Sequence, residues 1–382
     1  MNCPKCGTTM EEKEGSGTQI YTCDACDLSL NLNKEHEEVV TEVLTVGREL
    51  SGKTFSGKPL DYNIPKFDDK FMRLPSIRPV KKALLESLQD YDDVALLLSG
   101  GKDSRMLACL LKELGKEVTC YTYIMRHNTY EENELKASKR VARALNYKHR
   151  TIDINFKNYY NPKLIEKIMK ITDGVPLFHS LLTLCTIRPY IEQKHVITGN
   201  LITELLDTSE YRPWKDGKDV KRFLFNQERF SSFETYCETR FKLLKIYGDT
   251  PLNELLLLRK SDRIIRERVY DTLNFGVVRP ALDKQVLQTA FTLPLNYRTD
   301  GYIPRNIIRI TNRNLYKLPT ARSPFSLRVP LSFHIAYAKL FGQSIDNTPI
   351  PGAFNDTLLN LPKIEKYRLD NVLWWQHVNK KS

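Results

Sequence analysis

Leu96-Leu97-Leu98-Ser99-Gly100-Gly101-Lys102-Asp103-Ser104-Arg105 carries a short apolar run into a Gly-Gly turn and out into a segment of helical pattern. Two glycines let the backbone approach an anion closely, the hydroxyls of Ser99 and Ser104 add donors, and a helix N-terminus adds a favourable dipole. A phosphate group suits that position. Asp103 is a poor neighbour for bare phosphate, because like charges repel, yet a good ligand for Mg²⁺ bridging pyrophosphate. The bland reading is a fortuitous Gly-Gly turn, and the agreement of strand, loop and helix in one place argues against it.

Outward from the loop the pattern alternates. Residues 94–98 are continuously apolar, as in a strand buried on both faces, and 104–114 place Leu107, Leu110 and Leu111 on one helical side. Residues 118–123 read as the next strand, and 131–146 as a helix opened by acids where the dipole favours them. Segments 150–154 and 195–198 complete a four-strand core. Alternating β and α units predict the α/β class, a parallel sheet covered by helices over residues 80–210. Beyond residue 211 the strand signals fade, while 252–270 and 283–292 look helical, so a mostly helical C-terminal lobe is expected over 211–382. Residues 33–79 read as a connector, with a helix over 34–50 and a glycine- and proline-rich stretch over 51–65.

Composition sets outer bounds. Of 382 residues 41% are hydrophobic and 27% charged, which is ordinary for a globular chain. No apolar run approaches the roughly 18 residues of a membrane span. The N-terminus has no apolar signal region, so a cytoplasmic location is expected. Lys and Arg number 58 against 46 Asp and Glu, a net charge of +12 that favours a polyanionic partner or a phosphate-rich substrate. Residues 298–328 hold seven bases and one acid, a stretch suited to an RNA backbone or to the wall of a nucleotide site.

Four of the eight cysteines lie in the first 26 residues as Cys3-x-x-Cys6 and Cys23-x-x-Cys26. Two tight knuckles 16 residues apart can bring four thiolates onto one tetrahedral ion, which predicts a zinc ribbon over residues 1–32. Unliganded thiols, a redox pair and rubredoxin-like iron are the alternatives. Cys109 and Cys120 fall on a predicted helix and strand and read as core. His127, His149, His179 and His195 show no metal spacing, and His179 alone falls where a ligand could be reached.

The Ser99–Ser104 hexapeptide resembles the Ser-Gly-Gly-x-Asp-Ser signature of the PP-loop ATP pyrophosphatases, of the adenine nucleotide alpha hydrolase-like fold. That resemblance implies cleavage of ATP between its α and β phosphates, adenylation of a substrate and displacement of AMP. It assigns Ser99, Gly100, Gly101, Lys102, Asp103 and Ser104 to pyrophosphate and Mg²⁺, with Thr122 and Gly199 beside the nucleotide. The region from 118 to 328 is similar to the synthetase domain of asparagine synthetases and their ligase relatives. Asp173-Gly174-Val175-Pro176 resembles their Asp-x-x-Pro turn, and Arg279-Pro280-Ala281-Leu282-Asp283 their Arg-x-Pro-Phe-Leu-Asp element. Arg305-Asn306-Ile307-Ile308-Arg309 falls where they carry Lys-x-x-x-Arg.

The departures from that pattern bear on chemistry. Their Ser-Gly-Glu-Gly-Ser-Asp-Glu loop aligns with Thr198-Gly199-Asn200-Leu201-Ile202-Thr203-Glu204, so Glu204 is the carboxylate that remains and joins Asp103 as the expected Mg²⁺ ligand. Arg305 replaces a lysine and, with Arg309, would neutralise departing pyrophosphate; unlike lysine it does not readily give up a proton. No glutaminase domain accompanies the synthetase-like region, so the amine comes from free ammonia, a glutaminase subunit, or a small-molecule or peptide acceptor. The resemblance thus implies an AMP-forming amide ligase using ATP, Mg²⁺ and Zn²⁺. The same loop beside a cysteine-rich module also resembles tRNA thiolation enzymes, with Cys185 near a catalytic cysteine but Leu182 where its partner would stand. A sugar amidotransferase, and a nucleotide- or nucleic-acid-binding protein without catalysis, complete the alternatives.

Overall fold

A computed structural model describes residues 11–15, 18–23, 28–33, 76–125, 129–154, 159, 161–174, 179–206, 267, 269–299, 301–321 and 325–329. Three antiparallel strands open the chain: β1 (Glu11–Gly15), β2 (Thr18–Cys23) and β3 (Leu28–Asn33). The register pairs Glu11 with Thr22 and Cys23 with Leu28, so the start of β1 and the β2–β3 turn share one end of the sheet. Cys3, Cys6 and Cys26 lie outside the described residues, as do the expected helix over 34–50 and all of 207–266.

The main body is α/β. Helix α1 (Arg78–Glu86) precedes β4 (Val94–Leu97), followed by α2 (Lys102–Glu113), β5 (Val118–Ile124), α3 (Thr129–Leu145) and β6 (Lys148–Asp153). Then come α4 (Pro162–Thr172), α5 (His179–Ile187), β7 (His195–Ile197), β8 (Val277–Val278), α6 (Lys284–Phe291), α7 (Tyr302–Thr311) and α8 (Arg313–Lys317). The five strands are parallel in the order β6-β5-β4-β7-β8. Val94, Ala95 and Leu96 of β4 are fully buried, as a central strand with helices on both faces requires. The chain steps outward from β4 in one direction and then returns to its other side at β7. Ligands of such sheets bind at the carboxyl ends of the strands where that reversal occurs.

The four expected strands are present, and β8 adds a fifth that the sequence did not signal, since two residues are too short for a periodic pattern. Residues beyond 277 do not stand apart from the sheet. Val286 and Phe291 of α6, and Ile303, Ile307 and Ile308 of α7, share one apolar core with Leu96, with Met106–Leu111 of α2 and with Ile197. Helix α2 is therefore buried along most of its length, with α3 and α7 packed against it. Truncating a leucine such as Leu107 at its centre costs about 2–5 kcal/mol.

Candidate functional site

The loop after β4 is held in shape by its own side chains. Ser99 N–H donates to Ser104 Oγ (3.1 Å), the two hydroxyls lie 3.0 Å apart, and Gly101 N–H donates to Ser99 Oγ (3.2 Å). Gly100 is required by crowding rather than by its dihedral angles. A Cβ there would fall 2.5 Å from Ala321 Cβ and 2.7 Å from Ala137 Cβ. Gly199, just beyond β7, packs less tightly against the start of α2: a Cβ there would meet Ser104 N at 3.1 Å. Both loops at the point of reversal are thus pressed against neighbours, Gly100 with no room for a side chain and Gly199 with little.

Arg105 is the least expected member of this assembly. Its side chain is 0% exposed. Nη1 donates to the carbonyls of Leu315 (3.1 Å) and Leu318 (2.9 Å), and Nη2 to those of Gly100 (3.3 Å) and Pro319 (2.7 Å). The cation thereby caps the carbonyl end of α8 and clamps it to the phosphate loop. Burial pushes its pKa down to about 10, which still leaves it charged at neutral pH. Ala321 N–H adds a bond to Gly100 O (3.3 Å).

At the other side of the loop the carboxylate of Asp103 accepts a short hydrogen bond from the Thr203 hydroxyl, which in turn accepts from Lys102 Nζ (2.9 Å). Lys102 Nζ also sits 3.6 Å from Asp103 Oδ1. That Oδ1 is buried and accepts no hydrogen bond, as suits an oxygen that ligates a cation. Residues Ile202–Leu206 wind as a π-helix, entered through Leu201 at φ +67. A leucine in the left-handed region costs on the order of 1–3 kcal/mol, a strain that clusters at functional sites. Thr203 stands where the asparagine synthetase pattern has its aspartate, and the side chain of Glu204 is outside the described residues.

These groups line a cleft of about 560 Å³ with Ser99–Ser104 at its floor and Thr122, Gly199, Asn200, Thr203 and Arg305 among its walls. Thr122 is buried; its hydroxyl donates to Leu98 O (2.7 Å) and lies 2.8 Å from Ser138 Oγ and 3.0 Å from His149 Nε2. Burial lowers the His149 pKa, with Lys139 adding to the effect, which favours the neutral ring. Arg305 reaches the cleft, but its Nη2 donates to the carbonyls of Leu327 (2.5 Å) and Val329 (2.9 Å), securing a segment that contributes Leu327 to the wall. Arg309 is exposed and is not among the cleft-lining residues. Arg279 holds Asp271 through two contacts of 2.6 Å, and Asp283 caps α6 by accepting from the N–H groups of Gln285 and Val286. Two members of that motif are thus structural.

Glu267 is a second residue the sequence concealed. It is 0% exposed, and its Oε1 accepts from the Asn200 amide (3.1 Å). A carboxylate from a distant segment therefore stands behind the residue that replaces the pattern's first Glu. Glu267 falls in the 252–270 segment expected to be helical, between Arg266 and Arg268. Cys109, Cys120 and Cys185 are buried free thiols, each pushed up to about 12 by burial. A thiol in that state is a poor nucleophile, and Cys185 is not among the cleft-lining residues. The side chain of His179, at the start of α5, is outside the described residues, and among the described residues no cluster of His, Cys, Asp or Glu is gathered for a metal.

Comparison with known proteins bears on the same region. Residues 79–199, from α1 to the glycine beyond β7, match the asparagine synthase family model. No curated protein matches the chain. Among solved structures the chain is similar to a U34-tRNA thiolase, NcsA, from Methanococcus maripaludis, with 16% identity over 50% of this chain and 80% of that one and a TM-score of 0.29. It is similar to NMN synthetase from Francisella tularensis, with 18% identity, 56% and 91% coverage and a TM-score of 0.26. It is also similar to the NH3-dependent NAD synthetase of Campylobacter jejuni, with 18% identity, 50% and 96% coverage and a TM-score of 0.27.

Proposed function

We propose that the cleft is the ATP site of an AMP-forming ligase, in which the Ser99–Ser104 loop receives the β and γ phosphates and an acceptor is adenylated beside Asn200 and Thr203. The observation that carries this reading is the arrangement around Asp103, a carboxylate in the first turn of α2 with one oxygen held by Thr203 and the other buried without a hydrogen bond. Asp103 is the residue to hold Mg²⁺, with Glu204 as its expected companion; the ion, when bound, offsets charge on pyrophosphate. Lys102 supplies further positive charge, and Gly100 and Gly101 let the backbone come close. Arg305 keeps the wall around Leu327 in place while its charge faces the same cleft.

The chemistry is balanced without a redox partner. An acceptor carboxylate oxygen bonds to the α phosphorus, the bond to the β phosphate breaks, and pyrophosphate departs. An amine nitrogen then bonds to the activated carbon, AMP leaves with the electrons of the C–O bond, and the nitrogen loses a proton to solvent. The amine is ammonia, delivered free or by a glutaminase subunit, or belongs to the acceptor. The N-terminal module is proposed to hold Zn²⁺ on Cys3, Cys6, Cys23 and Cys26, a reading supported by their spacing and by the register that sets the start of β1 beside Cys23.

Formation of AMP and pyrophosphate from ATP by the purified protein tests the proposal, with small-molecule extract as the source of acceptor. Asp103→Ala is expected to lower the rate at least about 100-fold. ATP that fails to bind the parent protein, or AMP formation that Asp103→Ala leaves unchanged, overturns it.

A further inference from the structure

Two stretches of the sequence that include helices bordering the cleft are rich in bases and free of acids. Residues 135–152 hold six Lys and Arg and no acid, and residues 301–329 hold six and no acid. Those two stretches account for a charge equal to the net +12 of the whole chain. The fold brings them together, because α8 packs against both α7 and α3. Lys136, Lys139, Arg140 and Arg143 of α3 are exposed, as are Arg309 at the end of α7, Arg313 and Lys317 of α8, and Arg328. Lys136 lies 3.8 Å from Glu132; the other seven have no carboxylate partner among the described residues.

The inner faces of the same elements close the phosphate loop. Ala137 of α3 and Ala321, just beyond α8, are the two residues pressed on Gly100. A chain of phosphates lying on the outer face would therefore run along the rim of the cleft. On α3 the spacing of 136, 139, 140 and 143 keeps four bases on one side over about 10 Å of helix, room for successive phosphates. Tyr130, nine residues before Lys139 on the same helix, is 44% exposed and also lines the cleft. It offers a ring on which an unpaired base can stack at the mouth.

We infer that the face formed by α3, α7 and α8 binds single-stranded nucleic acid, its phosphates on Lys139, Arg140, Arg143, Arg313 and Lys317 and one unpaired base on Tyr130 at the mouth of the cleft. Five of the eight exposed bases are arginine, whose planar fork matches phosphate oxygens in pairs. A lipid surface fits less well, since Ile310 is the one large aliphatic side chain that is exposed among the described residues. The position of the strand relative to chemistry rests on reading the cleft as the ATP site, while the binding itself does not.

The test uses the full chain and a fluorescein-labelled 20-nucleotide single-stranded RNA, with DNA of the same sequence as a second arm, followed by anisotropy at several salt concentrations. With four or five phosphates neutralised, log K is expected to fall with log salt at a slope of about −3. Arg140→Glu with Arg143→Glu, and separately Arg313→Glu with Lys317→Glu, are expected to weaken binding at least tenfold and to make the slope shallower by about 2. Tyr130→Ala is expected to weaken the single strand several-fold and a duplex of the same sequence little. Circular dichroism melts show whether each variant is folded. Folded charge variants that bind as the parent does, or poly-glutamate that displaces the RNA as well as unlabelled RNA does, overturn the proposal. AMP formation measured on the same preparations separates the two readings: nucleic-acid binding without AMP keeps the surface and removes the ligase, and AMP without nucleic-acid binding does the reverse.

Discussion

The two walls of the cleft are built to different tolerances. On the side of the Gly-Gly loop, residues 99–105 are locked by hydrogen bonds between Ser99 and Ser104, by two alanines against Gly100, and by four bonds from Arg105. On the facing side, the loop from Thr198 to Leu206 carries a strained Leu201, a π-helical turn, and an amide and a hydroxyl where the asparagine synthetase pattern has carboxylates. A phosphate is recognised by backbone shape, which any intruding atom spoils. Under the proposed function an acceptor needs polar groups within reach on the facing side, which Asn200 with Glu267 behind it would supply.

That contrast can be broken experimentally, and the largest effect is expected at Arg105. Arg105→Met keeps the apolar bulk but removes the side-chain donor shared by the carbonyls of Gly100, Leu315, Leu318 and Pro319, of which Gly100 and Leu315 keep a backbone donor, a loss of about 3 kcal/mol or more in urea denaturation. Arg105→Lys recovers a minor part, because one ammonium cannot reach four carbonyls. Next comes Gly100→Ala, whose new methyl must displace Ala137 or Ala321, costing about 1–3 kcal/mol and weakening ATP binding. Gly101→Ala meets only Ser99 Oγ at 3.2 Å and is expected to cost less, which makes the pair an internal control for crowding.

On the facing wall, Thr203→Val removes the hydroxyl shared by Lys102 and Asp103 and is expected to cost about 1 kcal/mol while reducing Mg²⁺-dependent ATP affinity several-fold. A larger stability loss at Thr203 than at Gly100 would erase the difference between the walls. The smallest effect concerns His149. Its folded pKa lies below the ordinary histidine value of 6.5, so the unfolded chain takes up a proton first as pH falls. The contribution is whole above pH 6.5 and declines below it, down to the folded pKa. His149→Gln is expected to flatten that part of the melting temperature against pH, and a parent curve already flat below 6.5 would contradict the burial of the ring.

Sequence reading reached the strand, Gly-Gly turn and helix around Ser99–Ser104, because these signal one another within ten residues. It reached four strands of five; β8 has only Val277 and Val278 and is defined by its neighbours, not by its own pattern. It did not reach Arg105 or Glu267, since a buried charge has no local signature and its partners lie far along the chain. The basic stretch over 298–328 was visible, but not its division: Arg298 is 1% exposed over the Phe291 ring, Arg305 is engaged with backbone, and Arg309, Arg313, Lys317 and Arg328 are left at the surface.

The Arg105 clamp also fixes an order of events. Its carbonyl partners at Leu315 and Pro319 are 210 and 214 residues further along the chain, so the brace cannot exist until residue 319 has been made. Until then the loop carries a buried-type cation with nothing to bury it, and drawing the two ends together costs about 5 kcal/mol of chain entropy. A product stopped short of residue 315 would have the Ser99–Ser104 hexapeptide and its own hydrogen bonds but not the bonds from Arg105 to Leu315, Leu318 and Pro319, so possession of the motif precedes possession of its brace.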